Sequence, residues 1–183
     1  DANEDIVKLS LKLLTKMFSI LGESYYSNFI DNNGFNILKN LLKKWYNNDE
    51  IIVIIFAASF GASQLDNLGT DIYGYSKRLA RRNDLLSVSM PEFLFLIFDL
   101  IENSIETNND QRQHTYDVES YERFINCIKF SFKHLTCLHV TFKKKAWISK
   151  VCLIIYKLEL QDVPQMNSIL IEFKEMLSKI LWS

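Results

Sequence analysis

Residues 51–61 read Ile-Ile-Val-Ile-Ile-Phe-Ala-Ala-Ser-Phe-Gly, and the fold class turns on whether this run is a strand or a helix. Five consecutive β-branched residues, Ile51 to Ile55, favour a strand locally. A strand needs a neighbour to satisfy its backbone, and the segments on either side carry helical periodicity instead. Asn47-Asn48-Asp49 before the run supplies a loop and a cap, and Gly61 supplies a stop. The uninterrupted apolar stretch, Ile51 to Ala58, falls far short of the roughly 20 residues that a membrane-spanning helix needs. The run therefore reads as a helix buried on most sides, and the chain as all-α.

Working outward, Glu4 to Leu21 carries two apolar stripes at helical spacing, with Asn3 as cap. One is Ile6, Leu9, Leu13, Met17 and Ile20; the other is Val7, Leu11, Leu14, Phe18 and Leu21. Together they predict a wide core-facing surface, with Lys8, Lys12 and Lys16 on the far side. Short helices are expected over 25–30 and 35–45, separated by Asn32-Asn33-Gly34. Gly34 is expected to permit a sharp helix-to-helix turn that a Cβ would obstruct. Residues 62–88 read as a long surface loop with one short helix near 76–82, and 107–115 as a second exposed loop. Ser89-Met90-Pro91-Glu92 opens a helix to about Ile105, apolar nearly all round. One long helix is expected over 118–142, then 146–160, then a last helix from Pro164. The total is six to eight helices in a single domain spanning 1–183. Helices buried on two sides suggest a stack of the armadillo or HEAT type, an α-solenoid, rather than a four-helix bundle.

Composition narrows the function. The chain has 183 residues, 48% hydrophobic, with 21 Lys and Arg against 22 Asp and Glu. That balance speaks against nucleic acid as a partner, and five Gly and two Pro are too few for an all-β sandwich. Cys127, Cys137 and Cys152, an odd count in apolar segments, fit reduced, buried thiols inside a cell. The acidic, polar start does not resemble a signal peptide, and a first residue other than Met suggests a fragment of a larger protein.

Candidate chemistry is sparse. Cys127, His134, Cys137 and His139 lack the paired spacing that chelates zinc and read as core thiols and ordinary histidines. Asp99, Glu102 and Glu106 share a helix face and read as a solvated stripe, since no nucleophile or partner base accompanies them. Lys77, Arg78, Arg81 and Arg82 put four positive charges in six residues beside Tyr73 and Tyr75. This cluster is the candidate contact for a phosphate, a lipid headgroup or an acidic partner, against the alternative of a solvated face. No catalytic residue, metal site or cofactor is expected.

Three short motifs add a resemblance. Phe29-Ile30-Asp31-Asn32-Asn33-Gly34-Phe35-Asn36-Ile37-Leu38 resembles a helix junction of the armadillo-like region in BEACH-domain proteins of the beige and neurobeachin type. Ile55-Phe56-Ala57-Ala58-Ser59-Phe60-Gly61 resembles the segment that follows it there, and Met90-Pro91-Glu92-Phe93-Leu94 the start of the next helix. The likeness covers residues 25–101, and beyond Glu106 only generic helices. It implies a non-enzymatic armadillo-like scaffold upstream of a PH-BEACH module, active in vesicle trafficking and in vacuole- or lysosome-related protein sorting. Partners would be other proteins, other domains of the same chain among them. The location would be cytoplasmic, with peripheral contact at endosomal or vacuolar membranes. The alternatives are an unrelated HEAT or armadillo adaptor that binds a peptide or small GTPase, and a helical enzyme with a site assembled from distant residues.

Overall fold

A computed structural model describes residues 3–66, 68–69, 71–81, 86–110, 118–160 and 164–182. Among these residues the chain is all-α, with ten α-helices and no strand. In chain order they are α1 (Glu4–Leu21), α2 (Glu23–Asp31), α3 (Gly34–Leu42), α4 (Asp49–Ala58), α5 (Ile72–Ala80), α6 (Pro91–Asp110), α7 (Val118–His134), α8 (Cys137–Phe142), α9 (Lys145–Glu159) and α10 (Pro164–Trp182). Short 3-10 turns, Lys43–Trp45 and Ala62–Leu65, follow α3 and α4. The chain divides into two compact units, Asp1–Tyr75 with Ser87–Leu100, and Ser76–Leu86 with Ile101–Ser183.

In the first unit α4 is the axis of the core. Every residue from Ile51 to Ala58 is buried. The β-branched run is helical because its ends are capped and no strand lies beside it. Asn48 Oδ1 accepts from the Ile51 amide at 3.0 Å, and Asp49 and Glu50 face the positive end of the helix dipole. Beside α4, the Phe18 ring of α1 meets Tyr26 and Phe29 of α2, each at 5.1 Å between centroids. Phe35 of α3 then joins Phe29 at 5.4 Å to Phe93 of α6 at 5.1 Å. The returning chain is fixed at the end of α4, where the Ser59 carbonyl accepts from the amides of both Ser89 and Met90 at 3.0 Å.

The junction at residues 32–34 divides its work between two neighbours. Asn33 takes the left-handed backbone, at φ 59°, which an Asn tolerates better than most residues. Gly34 is needed for space. A Cβ there would lie 2.4 Å from the Phe29 ring.

The described residues of the 62–88 stretch are more ordered than a surface loop. Leu65, Ile72, Tyr75 and Leu79 are buried, and α5 begins four residues earlier than expected. The polar residues that suggest a loop act locally instead. Asp71 Oδ1 accepts from the Gly74 amide at 2.7 Å, a cap that starts the helix. Tyr75 Oη donates to the Gln64 carbonyl at 2.7 Å. The 107–115 expectation also shifts: α6 continues to Asp110, and residues 111–115 lie outside the described ones.

The second unit packs α7 against α10, and α9 against both α8 and α10. The expected long helix over 118–142 breaks at Leu135 and Thr136. His139 Nε2 lies 2.6 Å from the Phe132 carbonyl oxygen, the acceptor that residue 136 would use in an unbroken helix. The break lets α8 fold back, and Phe142 reaches Phe132 at 3.8 Å and Trp147 at 5.1 Å between centroids. These short helices, together with α5, carry the count past the expected six to eight.

Candidate interaction surfaces

The basic cluster lies at the C-terminal end of α5. Lys77, Arg78 and Arg81 are exposed, while Arg82 lies outside the described residues. α5 turns Tyr75, Ser76 and Leu79 inward, so its cations face outward and complement the negative end of the helix dipole. The structure thus places three of the four residues together at one helix end.

In the carboxylate stripe on α6, Glu102 is paired and largely buried, where a solvated side chain is expected. Glu102 and Lys150 are each only 12% exposed at the side chain. Glu102 accepts from Lys150 and, at 2.5 Å, from Lys157, two turns apart on α9. Burial pushes the Glu102 carboxyl up, but hydrogen bonds and charge from the two lysines outweigh it and hold it below the usual carboxylate value. Asp99 is half-buried, and the Glu106 side chain lies outside the described residues. Sequence alone misses this clasp, because the lysines follow 48 and 55 residues later.

The Cys and His residues do not converge. Cys127 is buried 3.5 Å from Ser76 Oγ, beside Ser131. His134 stacks on Phe130 at 4.4 Å between centroids, and His139 is taken by the Phe132 carbonyl. Among the described residues no group of three or more His, Cys, Asp or Glu side chains could hold a metal ion. Of the three thiols expected to be buried, only Cys127 is; Cys137 is half-buried and Cys152 exposed. Cys152 sits on the outer side of α9, where the apolar neighbours Leu153 and Tyr156 are exposed as well.

In the first unit an open cleft of about 540 Å³ lies between the end of α1, α2 and the start of α6. Phe18, Gly22, Glu23, Tyr26, Met90 and Glu92 line it. Tyr26 Oη donates to Glu92 Oε2, and burial, then that bond, pushes the phenol up. Through this bond Tyr26 ties α2 to α6.

The largest departure from expectation is α1. Only one of its two apolar stripes faces the core, with Leu11 and Phe18 buried and Thr15 between them. The other faces water: Ile6 is 60% exposed, Leu9 69%, Leu13 58% and Ile20 81%. Lys8 is not on the far side either. It bonds Glu4 at 2.5 Å and Glu50 of α4 at 2.6 Å, and these carboxylates push its ammonium up.

Among the described residues no helix is long and apolar enough to cross a membrane. No protein-family model, no curated protein and no solved structure matches the chain.

Proposed function

We propose that the chain is a non-enzymatic helical scaffold, a stretch of armadillo/HEAT-like α-solenoid from a BEACH-type protein. On this reading it serves vesicle trafficking and vacuole- or lysosome-related protein sorting. It works in the cytoplasm, makes peripheral contact with endosomal or vacuolar membranes, and has other proteins as partners. The observation that carries the scaffold part is the uncovered apolar ridge of α1, set on a helix whose other side is fixed in the core. Exposed apolar residues grouped on one face of a folded unit are a feature of interaction surfaces. The trafficking part rests on the motifs around Gly34, Ala57-Ala58 and Pro91, which resemble those of the family in order and spacing.

The test is cellular. Disruption of the gene should divert a vacuolar or lysosomal hydrolase to the medium, and the tagged protein should sediment with endosomal or vacuolar membranes and be released by high salt. Normal hydrolase sorting together with a uniformly cytosolic protein would overturn the trafficking assignment.

A further inference from the structure

We propose that the outer ridge of α1 seats an amphipathic helix of a partner protein, one that carries acidic residues along the rim facing Lys12 and Lys16. This rests on the scaffold reading and names the surface and the partner chemistry it uses.

The geometry of the ridge selects a helix. Ile6, Leu9, Leu13, Met17 and Ile20 follow one another at intervals of three, four, four and three residues. At 100° per residue they fall within an arc of about 80°, on the side of α1 away from Leu11 and Phe18. Over about 21 Å they form a straight ridge nearly four turns long. Such a ridge fits the groove between side-chain rows of another helix. A helix also satisfies its own backbone, whereas an extended segment laid on an apolar strip leaves amides unpaired.

Charge selects the partner. Lys12 and Lys16 lie on one flank of the ridge, four residues apart, with Asp5 on the same flank two turns before Lys12, and among the described residues neither lysine is paired. Lys8, one turn earlier, is held by Glu4 and Glu50. The opposite flank, at Ser10, carries no charge. A helix with Asp or Glu at matching spacing would meet both lysines with its apolar side on the ridge.

The same pattern disfavours two other occupants. A second copy in an antiparallel two-fold would set this rim against itself and bring Lys12 and Lys16 beside their own counterparts, and a parallel one would face both lysines with the uncharged flank at Ser10. A bilayer surface is favoured by several basic residues and by Trp or Phe on the apolar side. The ridge has two lysines and no aromatic residue.

The experiment uses the full chain and two fluorescein-labelled 20-residue helical peptides. Both carry leucines at the intervals of the ridge; one has Glu on its rim and the other Lys. By anisotropy the Glu-rim peptide should bind at least tenfold more tightly than the Lys-rim peptide. Leu13→Gln should weaken it at least tenfold, and K12E/K16E should invert the preference. K16E alone changes an exposed residue and should reduce the preference without touching the fold, checked by circular dichroism. Equal binding of both peptides, no binding of either, or an unchanged preference in K12E/K16E would overturn the proposal. So would a dimer in solution that Leu13→Gln dissociates, or binding to phosphatidylserine vesicles that the same variant abolishes. A chain that fails the peptide test while its loss still missorts hydrolases keeps the scaffold function and loses this seat. The converse result keeps the seat and loses the trafficking assignment.

Discussion

Substituting Gly34 by Ala tests the junction between α2 and α3. The added Cβ would lie 2.4 Å from Cε1 and Cζ of Phe29 and 2.5 Å from Cδ1. Carbon atoms in contact settle near 3.5–4.0 Å, so the ring or the helix must yield by about 1.1–1.6 Å. The ring cannot move without loss, because Phe29 packs edge-on against Phe18 and Phe35. Each such aromatic pair contributes about 0.5–1.5 kcal/mol beyond its buried area. Forcing extra volume into a packed site costs about 1–3 kcal/mol. Ala gains at most about 1 kcal/mol over Gly in helix propensity, and less at a first helical residue. The net expectation for G34A is a loss of about 1–2 kcal/mol, read as a lower urea midpoint with an unchanged slope. G22A separates space from backbone conformation, because Gly22 has φ +83° and nothing within 4 Å of an added Cβ. The decisive measurement is the cycle with Phe29→Leu, whose smaller side chain should absorb the methyl. G34A should cost at least 1 kcal/mol less in that background than in the native one. A neutral or stabilising G34A, or equal costs in both backgrounds, refutes the steric account of this glycine.

Three further outcomes follow from the contacts. Because the folded Glu102 carboxyl sits below its ordinary value, its contribution is present above the unfolded value of 4.5 and fades as pH falls through the folded one. E102Q should flatten that acid dependence and lower stability at neutral pH by about 1–3 kcal/mol, since two lysines lose their acceptor; an unchanged pH profile in thermal melts refutes the clasp. With a thiol reagent, Cys152 should react first and Cys137, whose thiol burial pushes up, more slowly. Cys127 should react only on unfolding, and labelling of Cys127 as fast as Cys152 contradicts the packing of Ser76 and Ser131 around it. Charge reversal at Arg81 should reduce flotation with anionic vesicles and leave the melting temperature within 1–2 °C, as expected of an exposed residue; unaltered flotation removes the basic cluster as a membrane contact.

How much of this was legible in the sequence depends on the range of each interaction. The start of α4 was readable because caps are local: Asn48, Asp49 and Glu50 lie within three residues of what they stabilise. The start of α6 at Pro91 was readable for the same reason. The first turn of α5 was not, because Gly74 and Asp71 resemble loop residues until the Asp side chain is seen to cap the helix. The break at Leu135 depends on His139 reaching back seven residues, and the Glu102 clasp on lysines from another helix. Neither leaves a periodic trace.

The two apolar helices of the first unit show where periodicity stops being informative. α4 and α1 both carry apolar residues on more than one side, yet α4 is enclosed and α1 is covered on one side only. The difference was present in the charges. After Glu50 the buried run of α4 has no ionisable residue, so no flank of it needs water. In α1, Lys12 and Lys16 stand between the two apolar stripes, and a lysine ammonium without a partner has to reach solvent. A helix with such a flank can bury the stripe on one side of it in its own core, but the stripe on the other side opens onto the same water. Total apolar content therefore measures how many surfaces a helix can offer, and the unpaired cations between stripes mark which of them its own core leaves uncovered.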